Sequence, residues 1–255
     1  MTSTTHVQRT AVVTGAARGV GAAVAWRLAG DGLGVGVVDL DETDCADTVQ
    51  ALTSADGAAL ALAADAADEA AVTAAVARIA AAFGPATTLA DSAGIGPRTD
   101  LVDTTTQQCD TVVGINPSGP FFAARAVCPH GVAAGWGPFV NMSGISEVGD
   151  AGCAGAKAGS IQLITGSLAL RLGPHGVTAD AGAPGSVVSE MTGASARRFG
   201  LSFEGSRHTA EQPVPVGRVG LPDDIAHTPS FLVRFGAGSV SGQVVHGAGG
   251  PGSEG

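Results

Sequence analysis

A glycine cluster near the N-terminus has the spacing of a phosphate-binding loop. It reads Thr14-Gly15-Ala16-Ala17-Arg18-Gly19-Val20-Gly21, after an apolar segment and before a run of helical composition. Tight turns use the same residues, but glycines placed between a strand and a helix permit positive φ angles and close backbone approach. The first amides of the helix can then bind a pyrophosphate. We therefore predict a dinucleotide site that includes Gly15, Arg18, Gly19, Val20 and Gly21.

An acidic residue after the second apolar segment bears on which dinucleotide binds. Asp39 follows the glycine cluster by roughly twenty residues, where an acid accepts hydrogen bonds from the adenosine ribose and repels a 2′-phosphate. We expect NAD, with NADP disfavoured, and include the neighbouring Leu40 in the cofactor site. Arg18 is an opposing indication, although pairing it with a phosphate beside Asp39 would be costly. Helix capping is the alternative role for Asp39, and Asp41 is better placed for it.

A cysteine and a lysine with spacing suited to chemistry occur in the second half of the chain. Cys153 and Lys157 stand four residues apart, on one face of a predicted helix. A thiol whose pKa is lowered by the lysine could act as an acid or a nucleophile. A small buried residue is the alternative for Cys153. Glu147 and Asp150 could also exchange protons if desolvated, although we favour a solvated acidic turn.

The elements that must position these residues follow a βαβ pattern. Short Val- and Ala-rich segments alternate with longer stretches of helical period, which indicates a parallel sheet. We predict a single-domain, Rossmann-type, doubly wound α/β sandwich over residues 1–255. The predicted strands are 10–15, 34–39, 58–64, 86–91, 137–143, 176–182 and 241–246. The predicted helices are 19–30, 42–54, 67–83, 104–132, 152–173 and 222–234. The segment 187–215 has weak periodicity and is interpreted as a mobile lid or a disordered surface loop.

Composition narrows the function classes. The chain has 255 residues, 45% of them hydrophobic, and a formal net charge of -10. This charge argues against nucleic acid and anionic membranes as partners. No apolar run reaches membrane-spanning length and the N-terminus does not resemble a signal peptide, so we expect a cytoplasmic protein. Neither the four cysteines nor the six histidines have metal-binding spacing. We expect no metal site and four reduced thiols.

The glycine spacing, and motifs along nearly the whole chain, resemble the short-chain dehydrogenase/reductase family. The resemblance implies that Asp65, followed by Ala66, lies near the adenine ring. Asp91-Ser92-Ala93-Gly94 stands in place of an Asn-Asn-Ala-Gly turn, so Ser92, Ala93 and Gly94 are expected to line the cofactor. The segment from Ala183 to Ser189 resembles the part that holds the nicotinamide carboxamide; its implied contacts are Pro184, Gly185, Val187 and Ser189. The C-terminal segment from Ser241 to Gly250 resembles one that often packs in tetramers, which implies a homotetramer or a dimer.

The resemblance also identifies a departure in the catalytic segment. Lys157 occupies the place of the lysine in the family's Tyr-x-x-x-Lys helix, and it is implied to bind the nicotinamide ribose. Cys153 stands where the tyrosine belongs, and the chain contains no tyrosine. Direct pairing puts Gly144 at the catalytic serine, so Ser143 and Ser146 are its possible substitutes. Asn116 resembles the asparagine whose carbonyl supports a proton-relay water, although Pro117 beside it can alter the helix.

Three functions are compatible with these observations. The leading hypothesis is an NAD(H)-dependent oxidoreductase that acts on an alcohol or ketone group of a small molecule, with an atypical site. The second is a redox-neutral enzyme on the same scaffold, such as a cyclase, isomerase or dehydratase. The third is a non-catalytic NAD-binding or oligomer-forming protein. Loss of both proton-handling residues motivates the second hypothesis, and decay of the catalytic site combined with a retained phosphate loop would be the signature of the third.

Overall fold

The computed structural model describes residues 9–95, 101–143, 153–189, 193 and 202–250. Seven parallel strands form one sheet in the order β3-β2-β1-β4-β5-β6-β7. The strands are β1 (Thr10–Thr14), β2 (Gly34–Asp39), β3 (Ala59–Ala63), β4 (Ala86–Asp91), β5 (Gly137–Met142), β6 (Val177–Pro184) and β7 (Val244–Gly247). The predicted doubly wound fold is confirmed. The strand order reverses between β1 and β4, and ligands of such sheets bind at the carboxyl ends of the strands beside that point.

Helices cover both faces of the sheet. They are α1 (Gly19–Gly30), α2 (Ala46–Ser54), α3 (Glu69–Phe83), α4 (Thr106–Val113), α5 (Gly119–Ala134), α6 (Cys153–Leu172), α7 (Phe203–Glu211) and α8 (Pro222–Leu232). Alternate residues of β1 point to opposite faces, so Val13 packs with Leu28 and Ile225 while Val12 packs with Ile79 and Phe139. Among the described residues, no helix is long and apolar enough to cross a membrane.

Small residues in the strands allow the helices to approach the sheet closely. A Cβ atom added at Gly36 in β2 would lie 2.1 Å from Cδ1 of Ile79 in α3. The isoleucine therefore occupies the space that a side chain on the strand would need. The carboxylate of Asp68 begins α3 by accepting hydrogen bonds from the amides of Ala70 and Ala71.

The predicted helix 104–132 is wrong in its continuity. The structure has α4, a π-helical turn at Gly114–Ser118, and then α5. Pro117 lies inside the turn and has no amide hydrogen, so it cannot donate the bond that a continuous α-helix requires. Asn116 lies within this turn and is buried.

Two other predictions differ from the structure. The segment 187–215 is predicted to have no helix or strand, yet it contains α7. This helix begins where the Ser202 hydroxyl accepts a hydrogen bond from the Gly205 amide. Residues 190–192 and 194–201 lie outside the described part. The last strand runs over Val244–Gly247 rather than 241–246, because Gly242 takes a positive φ of 78° that a strand does not use.

The expectation of four reduced thiols is wrong at Cys109. Cys45 and Cys128 are free thiols, whereas Cys109 in α4 is disulfide-bonded. Spacing along the chain indicates metal motifs, but it does not indicate which elements fold side by side. The cysteine spacing therefore gives no signal of this bond.

Candidate functional site

The glycine loop lies at the carboxyl end of β1 and opens directly into α1. Gly15 and Gly19 have φ angles of 62° and 60°, in the left-handed region that glycine adopts freely. A Cβ atom at Gly15 would lie 2.8 Å from the backbone nitrogen of Ala93, and one at Gly21 would lie 2.1 Å from the carbonyl oxygen of Gly15. Both glycines are needed because the loop packs backbone to backbone against the turn after β4 and against its own helix.

The start of α1 offers room for an anion. An added Cβ at Gly19 would meet no atom within 4 Å, so the space beside this residue is open. The side chain of Arg18, which precedes the helix, makes no capping hydrogen bond to it. A helix N-terminus with glycines, open space and no side-chain cap fits the pyrophosphate of a dinucleotide.

Thr14 joins the glycine loop to the turn that follows β4. Its hydroxyl donates to Oδ1 of Asp91 at 2.6 Å and accepts from the amides of Ser92 and Ala93, both at 3.1 Å. One donor and two acceptor positions exhaust what a hydroxyl provides. The predicted residues Ser92, Ala93 and Gly94 therefore lie beside Gly15. Thr14 and the buried Asp91 were not among the predicted site residues, although both stand within the quoted motifs.

Asp39, at the carboxyl end of β2, is bound to the glycine loop. Its Oδ2 accepts from the amide of Ala17 at 2.9 Å, and its Oδ1 accepts from the amide of Leu40 at 2.8 Å. It does not cap α2, which begins at Ala46. The neighbouring Asp41 accepts from the amide and the hydroxyl of Thr43, so the turn before α2 has its own acid.

The residues around Asp39 are open to solvent. Leu40 is 70% exposed, and the side chain of Arg18 is 64% exposed, with a guanidinium nitrogen 3.8 Å from Oδ2 of Asp44. At the end of β3, Asp65 is also exposed and accepts from the amide of Ala67. The predicted adenosine-binding residues thus share the open rim of the sheet edge, with Ala66 against the start of α5.

Asn116 connects the π-helical turn to the same edge. Its buried side chain accepts from the amide of Ile95 at 3.0 Å and donates to the carbonyl of Ile95 at 2.8 Å. The carbonyl oxygen and the amino group of the side-chain amide both bond the backbone of Ile95, which follows Gly94. The side chain therefore positions the backbone there, and the expected role of the Asn116 carbonyl stays a prediction.

The predicted catalytic segment is described in part. Ser143 is buried after β5, and its amide donates to the carbonyl of Gly182 at 2.8 Å. Ser146 lies outside the described residues. Cys153 is the first residue of α6 and Lys157 lies one turn later, but their side chains are outside the described part.

The segment after β6 is held in place by the chain that precedes α8 and follows β7. The amide of Val188 donates to the carbonyl of Gly220, and the amide of Gly220 donates to the carbonyl of Ser186, at 2.9 Å each. A Cβ atom at Gly185 would lie 3.0 Å from Cβ of Ala248. Pro184 is the last residue of β6, and Gly185, Val187 and Ser189 follow it. Their contact with a nicotinamide stays a prediction.

Together, the described site residues occupy the carboxyl-end edge of the sheet. The glycine loop, Asp39, Asp65, the turn at 92–94 and the segment after Pro184 follow five neighbouring or near-neighbouring strands. Such an edge can hold an extended dinucleotide across the switch point. Among the described residues, no group of three or more His, Cys, Asp or Glu side chains could hold a metal ion.

Comparison with known proteins gives one consistent result. A family model described as enoyl-(acyl carrier protein) reductase matches residues 15–251. The short-chain reductase protein NovJ of Streptomyces niveus is 41% identical over 243 residues, covering 94% of this chain and 92% of that protein. A 3-oxoacyl-(acyl-carrier-protein) reductase FabG of Staphylococcus epidermidis is 32% identical, covering 96% and 99%. The crystal structure of a variant actinorhodin polyketide ketoreductase with NADPH superposes with a TM-score of 0.91 at 26% identity, covering 96% of this chain and 98% of that one.

Proposed function

Because the chain belongs to the short-chain dehydrogenase/reductase family, we propose that it binds NAD(H) and acts on the alcohol or carbonyl group of a small molecule. The observation that carries the choice of cofactor is the pair of hydrogen bonds at Asp39. A carboxylate held against the amide of Ala17 brings negative charge to the loop that receives the phosphates. A 2′-phosphate on the adjacent ribose would meet that charge at short range, whereas ribose hydroxyls can donate to it.

Arg18 is the argument for NADP(H), and the ketoreductase structure with NADPH belongs to a relative of the same fold. The Arg18 guanidinium already lies near Asp44, and its side chain is mostly in solvent, where an ion pair contributes little. Pairing with a 2′-phosphate would also have to offset repulsion from Asp39. The balance favours NAD(H).

The roles proposed for the chain's own residues rest on the family motifs that these residues match. Gly15, Gly19 and the first amides of α1 hold the pyrophosphate, while Ser92 to Gly94 line the inner side of the cofactor. Lys157 binds the nicotinamide ribose, and Ser189 with its neighbours orients the carboxamide. When bound, the nicotinamide supplies or accepts a hydride. Ser143 and Ser146 are the candidates that hold the reacting oxygen.

Cys153 makes proton transfer the weak step of this site. A thiol has a reference pKa of about 8.5, against about 10 for a phenol, so its acidity would permit the role of the missing tyrosine. Its side chain ends one bond past Cβ, however, and cannot reach the position of a phenol oxygen. A water or a substrate group must fill that gap. This favours slow chemistry on ordinary ketones and keeps a redox-neutral or non-catalytic role as the second candidate.

The cofactor proposal is tested by titrating the protein with NADH and NADPH and following fluorescence. The wild type should bind NADH more tightly, and Asp39→Ala should narrow the preference by about tenfold, or about 1.4 kcal/mol. Asp41→Ala is the matched control, because it removes the same charge two residues further along the chain. The Asp41 carboxylate accepts hydrogen bonds from Thr43 and not from the glycine loop. Equal or tighter NADPH binding by the wild type would refute the proposal, as would an equal effect of Asp41→Ala.

A further inference from the structure

Cys109 stands apart from the other cysteines of the chain. The sequence contains four, of which Cys45 and Cys128 are free thiols and Cys109 is disulfide-bonded. We propose that Cys109 and Cys153 form a reversible disulfide that ties α4 to the first residue of α6 and withdraws the Cys153 thiol from the site.

The choice of Cys153 follows from elimination and from the packing of the helices. Within one chain, the only cysteine left for Cys109 is Cys153. Cys109 lies in the first half of α4, and α4 packs against α6, which begins at Cys153. The two cysteines are therefore on neighbouring elements, although they are far apart in sequence. Because α4 and α6 are already in contact, a disulfide between them requires no large movement of the chain.

The chemistry of the other two cysteines supports the same pair. Burial raises the pKa of the Cys45 thiol to about 11, with Asp39 adding to the effect, and burial also raises the pKa of Cys128. The thiolate is the form that attacks a disulfide, so both are poor partners for exchange. Cys45 is fully buried and its thiol donates to the carbonyl of Asp41. A single bond beside two thiols kept reduced is unlike the disulfide framework of a small secreted domain.

The consequence for the site rests on the proposed function. Cys153 stands where the family has its proton-donating tyrosine, and a disulfide sulfur has no proton to give. Oxidation proceeds by exchange with a small-molecule disulfide: one protein thiolate displaces a small thiol, and the second protein thiolate then displaces the other. The two cysteines become one disulfide, the small disulfide becomes two thiols, and a dithiol reverses the step. The reduced form alone carries a titratable group at position 153.

The test is disulfide mapping of the full-length chain without reductant. Free thiols are blocked with iodoacetamide, the protein is digested, and the peptides are identified by mass spectrometry. This is repeated after dithiothreitol and after re-oxidation with oxidised glutathione. We expect a linked pair of peptides containing Cys109 and Cys153, lost with dithiothreitol and regained on re-oxidation. Cys109→Ser should abolish it, whereas Cys128→Ser, the matched control at a half-buried free thiol, should retain it.

Several outcomes would overturn the disulfide. These are a link from Cys109 to Cys45 or Cys128, a link to a second copy of the chain seen as a doubled mass, or alkylation of both Cys109 and Cys153 after treatment with oxidised glutathione. NADH binding is measured on the same samples by fluorescence. Failure of NADH to bind either form would contradict the proposed function and leave the mapped disulfide standing, so the two failures are distinguishable.

Discussion

The Thr14 hydroxyl shows how much of the cofactor site depends on one small side chain. It is the link between the glycine loop and the turn after β4, and it is hydrogen-bonded to a fully buried carboxylate. A buried charge is costly unless hydrogen bonds compensate for it. The same hydroxyl therefore both stabilises Asp91 and aligns the amides of Ser92 and Ala93.

Replacing Thr14 with valine keeps the shape and removes all three hydrogen bonds. We expect Thr14→Val to lower the free energy of unfolding by about 3 kcal/mol, because bonds to charged groups contribute about 1.5–3 kcal/mol each. NADH binding should weaken as well, because the turn loses its register with the loop. Urea denaturation and fluorescence titration measure the two effects.

Thr10→Val is the matched control at the other end of β1. The Thr10 hydroxyl is buried and donates to the carbonyl of Phe83, away from the site. Thr10→Val should lower the free energy of unfolding by about 1 kcal/mol and leave NADH binding unchanged. A Thr14→Val protein that binds NADH like the wild type would show that the hydroxyl is not needed to shape the site.

At the residue scale, the position of the glycine loop is predictable because one residue type is almost obligatory there. Only glycine tolerates the positive φ angles of Gly15 and Gly19 and the close contact of Gly15 with Ala93. The cofactor contacts expected of these glycines and of Asp39 stay predictions. The role of Thr14 is not evident from the sequence, since threonine is also common in strands and its three partners are distant in sequence, at the end of β4 and in the turn after it. The disulfide at Cys109 is not predictable from the sequence, because the pairing of cysteines depends on which elements pack together in the fold.

At the scale of elements, β7 is attached to β6 partly through side chains. The carboxylate of Asp180 in β6 accepts from the amide of Gln243, and the hydroxyl of Ser241 accepts from the amide of Ala179. These bonds accompany two backbone hydrogen bonds, from the amide of Ala181 to Gln243 and from the amide of Gly242 to Ala179, before β7 begins at Val244. The predicted strand 241–246 begins three residues too early.

Asp180 makes the stability of this attachment depend on pH. Burial raises the pKa of its carboxyl group above the ordinary value of 3.8, and the bond from Gln243 offsets this only in part. A raised native pKa means that ionisation disfavours the folded state, so this contribution to stability is lost as pH rises from about 3.8 through the native pKa. We expect Asp180→Asn to gain stability relative to the wild type between pH 4 and pH 7, measured by urea denaturation.

Asp224→Asn should show the opposite trend. The Arg218 guanidinium beside Asp224 lowers the pKa of that carboxyl group, so its stabilising effect is present above 3.8 and is lost as pH falls. The disadvantage of Asp224→Asn should therefore grow as pH rises. Identical pH trends for the two variants would contradict the assignment of Asp180 as a buried acid whose ionisation is unfavourable.

Element boundaries were predictable where periodicity is strong and not where local chemistry intervenes. The first strand and helix match their predictions closely. The prediction of one continuous helix over 104–132 is wrong, because a π-helical turn that contains Pro117 separates α4 from α5. Helix α7 was missed because its exposed, polar sequence carries little periodic apolar signal; the lid role of 187–215 stays a prediction.

At the scale of the molecule, an apolar strip remains on the surface. Leu163 and Leu170 lie seven residues apart on α6 and are 74% and 82% exposed, and Phe121 on α5 is also exposed. Residues at this spacing share one face of a helix. Exposed apolar side chains repeated along one face of a helix are typical of a protein interface. They support the expectation of a homo-oligomer.

Adding charge to this strip should dissociate the assembly. We expect the wild type to be a dimer or tetramer and the double variant Leu163→Glu with Leu170→Glu to have a lower mass by light scattering. Gln162→Glu is the control, since it adds the same charge at an exposed polar position of α6. A monomeric wild type, or a double variant of unchanged mass, would exclude this face as the interface.

The overall architecture was the most predictable level. Alternating apolar segments and helices predict the doubly wound parallel sheet that the structure has, because this pattern is repeated along most of the chain. A retained cofactor scaffold with an altered proton donor was also expected from the motifs. The substrate is not predictable from the sequence, since the motifs that the chain shares with the family are those expected to bind the cofactor.

We propose that the chain keeps an NAD(H) site while lacking an efficient proton donor. Stopped-flow absorbance of NADH against a panel of simple ketones tests this directly, at saturating cofactor and with dithiothreitol present to keep Cys153 reduced. General acid catalysis contributes about 10² to 10⁴-fold, so we predict that NADH binds but that its oxidation is slower than ordinary turnover by about that factor. Reduction of a simple ketone at an ordinary rate of roughly 1 to 10³ per second would contradict the account.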